Sequence, residues 1–326
     1  MPSPKYLLIL YDNNVKLYFP KAYILILIIQ IMQKDKISFH DQISRNKIKS
    51  FVLVIFIFAV LVLLSYVIGK IYSEYFFTIL IFGIIISIFY TWLSYFFSAN
   101  IALGSVGGKQ ADEREYRQLH NIVEGLCLAS GMPKPRIYVM PGNQINAFAS
   151  GRNPQNSVIC VTEGTLSKLN KQELEGVIGH ELSHIASYDI RFMTITAVMV
   201  GMIAIISEIF LRSMWMKSGN DRDNKNAVFI IIGIALAILA PIIVQLVQLA
   251  ISRKREYSAD ASSVKFTRSP TGLIGALKKI KSDSEKIKVS GALSPLFMSD
   301  PKRRDISDFF ATHPAINKRI EILENM

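Results

Sequence analysis

The chain of 326 residues contains only two cysteines, Cys127 and Cys160, and no CxxC spacing. This argues against a disulfide framework and reads both as small core residues in a reducing compartment. No RNA- or DNA-binding motif, internal repeat or low-complexity tract is found, so the net charge of +12 does not point to nucleic acid. Histidine is scarce as well, with five in all. An apolar segment near the start, AYILILIIQIM, is too short to span a bilayer, and no small-residue cleavage site follows it. What the chain has in abundance is apolar surface. It is 51% hydrophobic with a mean hydropathy of +0.32, yet 19% of its residues are charged. That mixture is too apolar for an ordinary soluble protein and too charged for membrane helices alone. It implies membrane and aqueous parts in one chain.

Residues 51–68 and 75–97 are uncharged runs long enough to cross roughly 30 Å of hydrocarbon. Two further runs, Phe192–Leu211 and Ala227–Ile251, carry Glu208 and Pro241. They are expected to span as well, with a hydrophobic hairpin in the membrane as the alternative. Lys34, Lys36, Arg45, Lys47 and Lys49 precede the first run, and Arg253, Lys254 and Arg255 follow the fourth. Basic residues stay inside, so the N-terminal flank, 98–191 and 252–326 are expected on the cytosolic side. Four basic residues in the loop 212–226 (Arg212, Lys217, Arg222 and Lys225) weaken the rule there. The expected organisation is an extension and basic flank over 1–50, its first 31 residues dispensable. Two spans follow over 51–97, then aqueous 98–191, membrane 192–251 and aqueous 252–326.

The aqueous part reads as helix, small sheet, helix. Helical periodicity over 111–130 stops at Gly131 and Pro133. RIYVM (136–140), QINAFAS (144–150) and SVICVT (157–162) read as strands, with GRNPQN as the turn between the last two. Asn170 and Glu173 form a capping-box start for the helix from Lys171. The fold class is therefore α+β, mainly helical, with four membrane helices and a small sheet.

That last helix carries GHELSHIASYD, residues 179–189. His180 and His184 lie one turn apart on one face, so both imidazoles can reach one ion. Glu181 lies beside them, displaced from ligation and free to take a proton from a water the ion activates. HExxH on a helix is the pattern of zinc-dependent peptide hydrolysis, and with so few histidines it is rare by chance. A catalytic zinc needs a third protein ligand. Asp189 is one candidate. Glu256 in SRKREYSAD is the other and is preferred, because Asp260 one turn later can fix a histidine ring through its second nitrogen. His40 and His120 read as solvated or structural.

Over roughly 40–326 the chain resembles the HtpX family of membrane-bound zinc metalloproteases, relatives of the CAAX prenyl proteases. The resemblance rests on ISRNK, NAFASG (146–151), EGVIGHELSHIASYD (175–189), SRKREYSAD (252–260) and FFATHPAINKRI (309–320), in that order. It implies one zinc held by His180, His184 and Glu256, with Glu181 as general base, in a gluzincin-like domain facing the cytosol from the inner membrane. It implies that Asn146, Ala147, Phe148 and Ala149 belong to an edge strand receiving substrate backbone, as an extended peptide can. It places His313 near the cleft, as an oxyanion stabiliser, and gives Arg319 a part in ordering the tail. Substrates would be unfolded or damaged membrane proteins, in quality control. A prenyl-protein-processing peptidase would call for more spans around a larger chamber, and the intact Glu181 argues against a non-catalytic scaffold.

Overall fold

The computed structural model describes residues 39–71, 73–197, 253–283, 296–298 and 314–326. Helix α1 (Phe39–Ile71) and helix α2 (Phe76–Ser105) are joined by a single 3-10 turn, Ser73–Tyr75. Both contain stretches long and apolar enough to cross a membrane, Ile43–Leu63 and Phe76–Ser105. Phe51, Ile55, Phe77, Ile81, Phe82 and Ile85 are each more than half exposed. Such contiguous apolar surface is incompatible with water and suits lipid. Gly83 of α2 lies against Ser65 of α1, the close approach that a small residue permits between membrane helices.

Both helices overrun the apolar stretches read from sequence. α1 begins well before residue 51 and carries Arg45, Lys47 and Lys49 on its first turns, since long basic side chains are good helix formers. The last turns of α2 leave the apolar environment for a protein interior. There Ala99, Ala102 and Leu103 pack onto the sheet. Of the third apolar run, residues 192–197 are helical and buried, and they belong to a helix (α6) whose described part covers 189–197. Phe192 and Ile195 of α6 pack with Leu53 and Ile57 of α1 and Tyr90 of α2. The rest of that run and the fourth run lie outside the described residues, so two of the four expected spans are seen.

Among the described residues four strands form one sheet in the order β1-β2-β4-β3: β1 (Lys109–Gln110), β2 (Arg136–Met140), β3 (Ala147–Asn153) and β4 (Asn156–Thr162). β2 and β4 run parallel, while β1 and β3 flank them antiparallel. The sheet is covered on both faces, which explains why SVICVT is a continuous apolar run rather than an alternating one. Along β4, Ile159 and Val161 face a core shared with helices α3 (Arg117–Ser130) and α5 (Lys171–Ala186). Val158 and Cys160 face the opposite core, with α2, α6, Leu296 and Phe297. Both cysteines are free and buried. Burial pushes the Cys127 thiol up to about 11 and that of Cys160 higher still. β1 and the short helix α4 (Glu163–Lys168) carried no sequence signal: one is two residues long, the other six.

α5 is the central element. Its capping box is complete: Asn170 Oδ1 accepts from Glu173 N at 2.9 Å, and Glu173 Oε2 accepts from Asn170 N at 2.8 Å. Nearly every residue from Glu173 to Ile185 is buried. Two neighbours come very close: α7 (Arg253–Thr267) and α8 (Thr271–Ser282). Gly176 and Gly179, one turn apart, make this possible. A Cβ on Gly176 would lie 2.5 Å from Leu273 N and 2.7 Å from Leu273 Cα, and one on Gly179 would lie 2.8 Å from Ser263 Oγ.

Because backbone atoms cannot move aside, Gly176→Ala is expected to cost about 1–3 kcal/mol, the usual penalty of overpacking. Gly125→Ala in α3, where a Cβ meets nothing within 4 Å, is expected to stabilise by about 0.5–1 kcal/mol. Thermal unfolding of the detergent-solubilised variants checks the pair. Wild-type stability in Gly176→Ala would overturn the close packing described here.

Candidate metal and catalytic site

The two histidines of α5 present their Nε2 atoms to the same point, 3.2 Å apart, with the rings nearly perpendicular. Glu256, in the first turn of α7, reaches the same point. Its Oε2 lies 3.6 Å from His180 Nε2 and its Oε1 lies 3.4 Å from His184 Nε2. His180, His184 and Glu256 are all buried, and one ligand atom from each lies within 4.8 Å of the others. Nitrogen and oxygen ligands about 2.0–2.2 Å from a tetrahedral zinc would be separated by about 3.3–3.5 Å. The spacings, 3.2 Å between the imidazole nitrogens and 3.4 and 3.6 Å to the two Glu256 oxygens, lie around that figure. Charge gives a second test of fit. Glu181, Asp189, Glu256 and Asp260 are buried carboxylates, while the buried guanidiniums beside them are Arg255 and Arg319. Fully ionised, four against two leaves two negative charges, which a divalent cation offsets and an apolar interior does not tolerate.

The outer nitrogen of each ring meets a carboxylate. His180 Nδ1 is 2.9 Å from Asp260 Oδ1. Arg319, on helix α9 (Ile316–Glu324), clamps that carboxylate through Nε to Oδ2 at 2.9 Å and Nη2 to Oδ1 at 2.6 Å. Burial alone would raise the Asp260 carboxyl. The Arg319 guanidinium, with His180, more than reverses this and holds it down at about 2. Arg319 Nη1 also comes within 3.8 Å of Glu256 Oε2. The role of Arg319 is thus wider than ordering the tail: it is a fully buried cation at the centre of the cluster.

His184 Nδ1 faces Asp189 Oδ2 at 3.3 Å. Asp189 therefore stands behind the ring, away from the three converging donor atoms, and it is Glu256 that lies among them. Ser187 Oγ donates to Asp189 Oδ2 at 2.8 Å, and Arg255 Nη1 donates to Asp189 Oδ1 at 3.3 Å. Asn46 Nδ2 donates both to Asp189 Oδ1 at 2.7 Å and to Ser187 O at 3.0 Å. Asn46 and Arg255 carried no signal for this. The first sits in a basic flank, and the second reads from sequence as an orientation charge but is buried against Asp189.

Glu181 is buried next to the two histidines and accepts a hydrogen bond from the backbone N–H of Ala149. Burial raises its carboxyl above the usual range against the pull of His180 and His184. A carboxyl so placed, raised from the ordinary carboxylate range by burial, is suited to accept and return a proton.

Among the described residues β3 is an edge strand, but it is not exposed. Asn146, Ala147, Phe148 and Ala149 are all at most 5% accessible. Ala149 turns its N–H to Glu181, and Ala147 O accepts from Met298 N at 2.9 Å. Phe148 points the other way and packs on Phe297, with ring centroids 5.1 Å apart. The Asn146 backbone is directed to the end of β4, where its carbonyl accepts from Thr162 N at 3.0 Å. His313 lies outside the described residues. His120 is structural, its Nε2 lying 3.1 Å from Ala111 O.

Residues 113–326 match Peptidase family M48. The chain is 42% identical over 273 residues to a protein named Protease HtpX homolog from Caldanaerobacter subterraneus subsp. tengcongensis, covering 81% of this chain and 91% of that one. A Protease HtpX homolog of Thermoanaerobacter pseudethanolicus is 45% identical over 245 residues, 73% of this chain and 82% of its own. That of Dictyoglomus turgidum is 41% identical over 291 residues, 89% and 95%. A crystal structure of S. mikatae Ste24p aligns with 86% of this chain and 65% of its own at 18% identity and a TM-score of 0.46. With a histidine pair and a glutamate converging on one buried point, and with this extent of similarity, the chain belongs to peptidase family M48 and is a metalloprotease.

Proposed function

We propose that this chain is a zinc-dependent endopeptidase working at the cytosolic surface of the inner membrane on unfolded or damaged membrane proteins. The observation that carries the reading is the convergence of His180 and His184 from α5 with Glu256 from α7, with Glu181 one residue from the first ligand. A single zinc fits that donor set. When bound, it would supply a water acidified from a pKa of about 16 towards about 7 and a Lewis acid for the scissile carbonyl. Glu181 takes the proton from the attacking water and returns it to the leaving nitrogen as the peptide bond breaks. Asp260 and Asp189 keep the two imidazoles in the tautomer that presents Nε2.

A peptide paired with the β3 edge would run past Glu181, since Ala149 bridges the two. The basic turns of α1, with Arg45, Lys47 and Lys49, support the cytosolic orientation. The apolar faces of α1 and α2 support substrates drawn from the same bilayer.

Glu181→Gln is expected to keep its zinc and lose proteolysis by about 10²–10⁴-fold, the contribution of general base catalysis. Casein cleavage by the detergent-solubilised protein, with and without chelator, checks this alongside zinc content, and substantial turnover in the variant would refute the base. The same variant expressed in cells should retain uncleaved substrates, and their identity tests the membrane-protein reading.

Glu256→Ala is expected to abolish stoichiometric zinc binding. Asp189→Ala should weaken it by about 10–100-fold, as loss of a ligand-orienting partner does. Competition with a chelator of known affinity separates the two, and equal affinity in both variants would refute the division between ligand and orienting group.

A further inference from the structure

We propose that Asn46, on the first turns of helix α1, is a positioning residue for the metal ligand His184, acting through Asp189. The inference rests on the reading of His184 as a ligand. It extends the site to a helix that carries no chemistry of its own and whose apolar, membrane-length stretch, Ile43–Leu63, includes Asn46 near its start.

Asn46 is only 3% accessible, although it lies in a basic flank whose neighbours Arg45 and Lys47 are exposed. Its amide makes two hydrogen bonds, one to the short link between α5 and α6, Ser187 O at 3.0 Å, and one to the first residue of α6, Asp189 Oδ1 at 2.7 Å. The residue between them, Tyr188, has a φ of 60°, a left-handed conformation uncommon for a side chain of that size. Lys47 Nζ sits 4.4 Å from the centre of the Tyr188 ring. Two consecutive residues of α1 therefore clasp a strained turn whose last member orients His184.

The division of the Asp189 carboxylate explains why the amide matters. Oδ2 is turned to His184 Nδ1 and Ser187 Oγ. Oδ1 is shared by Asn46 and Arg255, the latter at the longer distance of 3.3 Å. Arg255 precedes Glu256 on α7. Without Asn46, the carboxylate is free to rotate toward the guanidinium, and the hydrogen bond that fixes the His184 ring is lost. A neutral amide suits the position: it donates to the carboxylate without adding a cation to compete with the metal.

The test uses the full-length enzyme in detergent. Zinc affinity is measured by chelator competition, ligand geometry by the d–d absorption of the cobalt-substituted protein, and kcat and KM on a peptide substrate. Asn46→Ala is expected to weaken zinc binding about tenfold or more, as loss of a ligand-orienting partner does, to shift the cobalt spectrum, and to lower kcat with KM little changed. Ile48→Ala, an exposed neighbour on the same helix, should do none of these. Because Asn46 acts through Asp189, the double variant with Asp189→Ala should bind zinc no more weakly than Asp189→Ala alone. A wild-type affinity and spectrum in Asn46→Ala would overturn the proposal, as would losses that multiply in the double variant. If Asn46→Ala does not fold, Asn46→Ser, which keeps one donor, carries the same comparison. Failure of the wild-type protein to bind zinc would instead sink the metal reading itself.

Discussion

The 2.9 Å contact between Asp260 and the outer nitrogen of His180, sealed from water, sets the constraint that the surrounding structure satisfies. A carboxylate in such a place is costly unless it is paired and fully hydrogen-bonded. Arg319 supplies the pairing, and because Arg319 is itself buried, helix α9 must dock against α7 for the site to exist. The same logic recurs one turn along α5, where Asp189 needs Asn46, Ser187 and Arg255 around it. Four distant segments of chain are thus held together by what two imidazoles require on the side facing away from the metal. Three donor atoms alone would demand only α5 and α7.

Membrane and protease parts share material rather than meeting at a linker. Thirty residues make α2 about 45 Å long, some 15 Å more than the hydrocarbon core of a bilayer. The surplus turns are where Ala99, Ala102 and Leu103 cover one face of the sheet, opposite α3 and α5. Arg191 extends the join by hydrogen-bonding Tyr95 near the same end of α2. The sheet therefore has no face free to turn relative to the helix, and the site is fixed relative to α2 by side-chain packing.

Periodicity and capping made α3, α5 and the three longer strands legible, because each repeats its signal over several residues: the capping box at Asn170, the buried face of α5, the apolar run in β4. HExxH and the i, i+4 spacing of Glu256 and Asp260 were legible for the same reason, as local patterns on one helix. What was hidden depends on single residues whose meaning comes from a partner far along the chain. Asn46 is 143 residues from Asp189, and Arg255 looks like one more cation in a basic run until its carboxylate is found. The helices extend beyond the apolar stretches because hydropathy reports where lipid is suited, whereas a helix continues as long as its backbone has something to pack on. Asp189 stands apart from the converging donor atoms because five residues past His184 the chain has turned behind the ring.

The β3 edge is partly occupied by the chain's own backbone. The outward carbonyl of Ala147 is already engaged by the N–H of Met298, while Phe297 is wedged against Phe148. A polypeptide arriving along that edge gains no vacant backbone group at Ala147; it swaps one hydrogen bond for another of similar strength. Any extended chain pairing at that point would have to displace the protein's own backbone, so the edge there is held closed by an internal hydrogen bond and an aromatic contact.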